Sequence, residues 1–171
     1  LWQLNSALRE AEFGNAAQAR KEVTPGLALA STRDARVIAA LTLARAGDSA
    51  GAQKLASELA REFPLDTAIN GYWLPAINGS MEIRKGHAAQ AIALLEAASR
   101  YELGFPAPQF GPGGLIYPAF VRAEAYLALH RGAEAATEYK KMLDHRSMLG
   151  NSLLYPLAHL GLARAYGLQS D

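Results

Sequence analysis

The chain contains no cysteine, which excludes a disulfide framework and any metal or redox site built on thiolates. Long hydrophobic runs are missing too. Half of the residues are apolar, yet nowhere do about 20 of them follow one another without a charge, the length that a bilayer-crossing helix needs. No insertion of this chain into a membrane is therefore expected. Neither sign of charge dominates: 17 lysines and arginines stand against 16 aspartates and glutamates. The broad positive field that nucleic acid requires is absent, and no nucleic-acid partner is expected. The first residues lack the basic stretch and apolar core of a secretory signal, and the chain starts at Leu1 rather than at a methionine. It reads as a piece of a longer protein, and its 171 residues suffice for one domain with a core or for an array of short units.

What the chain has is alanine-rich sequence of helical character, interrupted at intervals by one pattern. "EFGNAAQARKEV" (12–23), "RAGDSAGAQKLA" (45–56) and "RKGHAAQAIALL" (84–95) each end one helical stretch with a glycine and place an alanine five residues later. The glycines are Gly14, Gly47 and Gly86; the alanines are Ala19, Ala52 and Ala91. A fourth stretch, "LHRGAEAATEYKKML" (129–143), follows the plan if its turn is one residue looser and Ala135 takes the alanine position. From Ala19 to Ala52, Ala52 to Ala91 and Ala91 to Ala135 the separations are 33, 39 and 44 residues.

Each feature has a mechanical reason. Glycine accepts the left-handed backbone that ends a helix. Asn15 or Asp48 can then accept hydrogen bonds from the unpaired amides that open the next helix, and alanine lets two helices approach closely. The reading is an all-α chain of about nine helices, at 2–13, 16–30 with a kink, 33–46, 49–62, 66–85 with a break near Pro75, 88–101, 117–130, 133–145 and 153–167. Eight of them form four antiparallel hairpins, and the ninth stands without a partner. Pro75, Pro118 and Pro156, in "YWLPA", "IYPAF" and "LYPLA", fall at or just before the first turn of a helix, where a missing amide costs nothing.

This spacing resembles the tetratricopeptide repeat (TPR) family. The family's small residue in helix A is matched by Ala7, Ala40, Gly79, Ala123 and Ala163, its later bulky residue by Leu43, Tyr126 and Tyr166, and its closing proline by Pro64. Glu82 departs from the bulky position, and Pro25-Gly26 interrupts the second helix of the first unit. The resemblance implies a single TPR-like α-solenoid over 1–171, with units at about 1–31, 32–65, 66–103, 117–146 and a truncated 153–171, and a long loop at 104–116. A closer resemblance, carried by "FPLDT", "YWLP", "YELG" and "LDHR" within 27–171, is to the C-terminal repeat region of acidobacterial-type serine/threonine protein kinases. Attachment to a membrane-anchored kinase implies a place outside the cytoplasm; otherwise the region would be cytoplasmic. Related repeats also occur on bacterial transcriptional regulators.

No catalytic residue is expected in the chain itself. The glycine loop, strand lysine, catalytic aspartate and metal-binding aspartate of a kinase are missing. "LDHRS" (143–147) reads as a helix end, with His145 and Arg146 as cations favoured by the dipole. "FGPGGLIYP" (110–118) lacks the Gly-Lys-Ser/Thr ending of a phosphate loop. His87, His130, His145 and His159 lie on separate helices or turns, without the i, i+4 spacing of paired ligands, so neither a metal nor a cofactor is expected. Asn78-Gly79-Ser80 matches a glycosylation acceptor inside a helix and reads as chance.

The expected function is a non-enzymatic protein or peptide interaction module. In the repeat family, ligand contacts come from one face of each helix A. Carried over, these positions point to Trp73, Ile83, Tyr117, Phe120, Glu124 and Arg164 as a concave groove. The groove is mostly apolar, unlike one that clamps a peptide's terminal carboxylate. It is expected either to receive a partner or to be filled by the 101–118 segment through Phe105, Phe110 and Ile116, which makes a structural or oligomerisation spacer the rival reading. A small-ligand site would need Glu102, Gln109, Arg122 and Glu124 to converge. Leu157, Leu160 and Leu162 on the unpaired last helix give an expectation of self-association.

Overall fold

The computed structural model describes residues 1–104, 116–150 and 152–170. Phe105, Gln109, Phe110 and most of the expected 104–116 loop lie outside the described residues. Among the described residues the regular structure is entirely helical: ten α-helices, one π-helical turn and one 3₁₀ turn. The chain divides into two compact units, Leu1–Met81 and Glu82–Asp171. The division falls inside the stretch 66–103 that the sequence assigns to a third repeat.

The first unit contains α1 (Trp2–Glu12), α2 (Ala16–Leu29), α3 (Arg33–Arg45), α4 (Ser49–Glu62), a π-helical turn (Ile69–Trp73) and most of α5 (Leu74–Arg84). α3 is its centre: α1, α2 and α4 all pack against it. Its sequence suits that place, because Ala35, Ala39, Ala40 and Ala44 are fully buried and let neighbours come close. Thr32 starts α3 by accepting a hydrogen bond from the Ala35 amide at 3.2 Å, and Asp48 starts α4 in the same way from Gly51 at 2.9 Å. Asn15 does not act as a side-chain cap, contrary to expectation. Its amide nitrogen instead donates to Glu10 Oε2 at 2.7 Å. α2 continues through Pro25 to Leu29. Two ion pairs tie the hairpins together: Arg45 donates to both oxygens of Glu12 at 2.7 Å, and Arg33 Nη1 to Asp66 Oδ2 at 2.7 Å. Each pair spans 33 residues, the same step as Ala19 to Ala52.

The helical turns repeat in atomic detail. The amides of Asn15, Asp48, His87 and Arg131 donate to the carbonyls five residues back, those of Glu10, Leu43, Glu82 and Tyr126, at 2.8 to 2.9 Å. Just before each donor stands a left-handed residue: Gly14, Gly47, Gly86 and, in the fourth turn, His130 with φ of 56°. From each of these, the fifth residue is the alanine whose amide opens the next helix, at 3.0 to 3.1 Å. The fourth turn is therefore no looser than the others, which corrects the sequence reading. Its glycine, Gly132, serves packing: a Cβ there would lie 2.5 Å from the Ala165 carbonyl oxygen.

The second unit contains the end of α5, then α6 (Ala88–Glu96), a 3₁₀ turn (Ser99–Tyr101), α7 (Tyr117–Ala128), α8 (Gly132–Asp144), the one-turn α9 (Arg146–Leu149) and α10 (Leu154–Ser170). The helix expected over 88–101 thus ends at Glu96 and closes as a 3₁₀ turn, and α9 is an addition. Pro75, Pro118 and Pro156 all fall in the first turn of their helices, α5, α7 and α10. α8 packs on α7 and on α10. The buried Tyr139 ring of α8 meets α10 at Gly161, where a Cβ would lie 2.2 Å from the ring.

Candidate functional site

Of the six residues assigned to a groove, three are aromatic and buried. Trp73 sits in the π-helical turn, its ring edge-on to Tyr72 with centroids 4.9 Å apart, and is 2 % exposed. Tyr117 and Phe120 are buried in the first turn of α7. Their rings meet edge-on at 6.1 Å, and Phe120 meets Tyr139 at 6.3 Å. Tyr139 went unnoticed in the sequence because it lies on helix B of its hairpin. Ile83 and Glu124 are half-buried and Arg164 is exposed, so these three offer the accessible atoms of the assigned set. On α10, Leu160 is exposed, while Leu157 and Leu162 are half-buried.

Glu102 and Arg122 do converge, and they bring partners that sequence reasoning missed. Arg122 is buried on α7; its Nη1 donates to Glu102 Oε1 at 2.8 Å and its Nη2 to Glu102 Oε2 at 3.0 Å. Nη1 also reaches the Leu95 carbonyl at 3.1 Å, and Nη2 reaches Glu138 Oε2 at 2.7 Å. Lys141 completes the set, its Nζ 2.8 Å from Glu102 Oε2 and 2.7 Å from Glu138 Oε2. Glu138 and Lys141 are three residues apart on α8, a spacing that places them on one face and was the available signal. Gln109 lies outside the described residues.

Chemically this is a closed array, two cations against two carboxylates. Burial alone would raise the Glu138 pKa, but hydrogen bonds from Arg122 and Lys141 outweigh it and hold the carboxyl below its usual range. Burial likewise opposes the charge on Arg122, and its bonds to Glu102 and Glu138 prevail, keeping the guanidinium protonated. Neither group is tuned toward neutrality, as a general acid or base would be. The array fixes the 3₁₀ turn region, α7 and α8 to one another.

Among the described residues no group of three or more histidines, aspartates and glutamates is arranged to hold a metal ion. His87 Nδ1 faces Glu82 Oε2 at 2.9 Å, and His145 Nδ1 faces the Lys141 carbonyl at 2.8 Å at the end of α8. Ser80 of the acceptor-like triplet is buried, and its hydroxyl donates to the Ala76 carbonyl at 2.8 Å. Among the described residues, no helix is long and apolar enough to cross a membrane. Comparison with protein-family models, with curated proteins and with solved structures finds no match.

Proposed function

We propose that the chain is a non-enzymatic, tetratricopeptide-type interaction module that receives a protein or peptide segment, and that it forms the regulatory or sensing region of a bacterial serine/threonine protein kinase. The observation that carries the first part is the turn used four times: the same backbone hydrogen bond, a left-handed residue at the same place and an alanine five residues on. A unit repeated in this way buries one face against its neighbours and keeps another for partners. The kinase context rests on the sequence resemblance. Burial of Trp73, Tyr117 and Phe120 favours one second reading, a structural or oligomerisation spacer whose apolar positions serve its own interior.

Phe120→Glu would place a charge in the interior and test folding instead of binding, so the informative changes are at Arg164 and Ile83. Affinity capture from native lysate on the unaltered chain should retain a partner that Arg164→Glu and Ile83→Asp lose, with all three chains melting alike. Equal retention, or none above background, would support the spacer.

A further inference from the structure

We draw no further inference here: the strongest candidate, the outer face of α10 on which Leu160, Ala163 and Tyr166 are exposed while the corresponding Ala7, Ala40 and Ala123 of earlier helices are fully buried, carries nothing, because nothing in the structure shows what covers it.

Discussion

In the first unit, Arg33 with Asp66 and Arg36 with Glu62 sit at the ends of helices with water within reach, and in Arg45 with Glu12 the carboxylate is shielded while the arginine keeps 14 % exposure; in the second the Arg122 and Glu102 side chains are both covered, at 2 % and 1 %. The interiors differ accordingly. α3 is surrounded through alanines, while α8 packs through the aromatic ring of Tyr139 on a bare Gly161. Yet the turns of the two units have the same backbone bonds. The comparison separates two levels of specification: the turn is set by backbone geometry that several sequences satisfy, and the way helices are held together is set anew in each unit by side chains.

The largest expected effect breaks that contrast directly. Arg122→Met leaves Glu102 buried without its main partner, and loss of one member of a buried pair costs about 3 to 5 kcal/mol. Arg33→Met, at a pair whose side chains are 35 % and 20 % exposed, should cost about 0 to 1 kcal/mol. Urea denaturation of both variants, with hydrogen exchange read separately over the two units, checks the difference. Equal costs would mean that water reaches the Arg122 array as freely as the helix ends.

What could be read from the sequence follows the same division. Gly14, Gly47 and Gly86, the alanines five residues later and the three prolines are local signals, and the helices lie close to where these place them. His130 escaped because a glycine is sought at a left-handed turn, and Gly132 stood nearby as a decoy. Glu102 and Arg122 are 20 residues apart, and Arg122 and Glu138 are 16 apart; no period links them, so their meeting depends on how α7 and α8 pack. The aromatic members of the assigned groove were chosen by register along helix A. Register gives a direction around a helix and leaves open what else covers that side, which is why Trp73, Tyr117 and Phe120 are buried.

A smaller effect sharpens the difference in packing. Gly161→Ala would press a methyl group into the Tyr139 ring, whose nearest atom is 2.2 Å from the added Cβ. The ring is rigid and buried, so relief requires α10 to move off α8, at about 1 to 3 kcal/mol. In the first unit Gly26→Ala meets Leu4 Cδ2 at 2.6 Å and Cγ at 2.8 Å; Leu4 is buried too, but its two aliphatic torsions give it more ways to yield than a flat ring has. Thermal melting should rank Gly161→Ala as the more damaging of the two, and the reverse order would mean that α2 is held to α1 more rigidly than α10 is to α8.

The smallest effect concerns the one of the four repeated turns that has a side chain in the left-handed position. His130 has φ of 56° where its three counterparts are glycines with φ of 83 to 85°, and it is exposed, so no burial compensates the strain between Cβ and backbone. His130→Gly removes that strain but gives the unfolded chain more freedom, and the two effects oppose each other. With the strain at about 1 to 2 kcal/mol and the entropy at about 0.4 to 1 kcal/mol, the balance is a gain of roughly 0.5 to 1 kcal/mol. The converse change, Gly47→His, should lose a similar amount in the first unit, because its turn has the same geometry. A raised urea midpoint for the first variant and a lowered one for the second, each without a change in slope, would establish that the four turns are one structure and that the second unit folds with a penalty the first avoids.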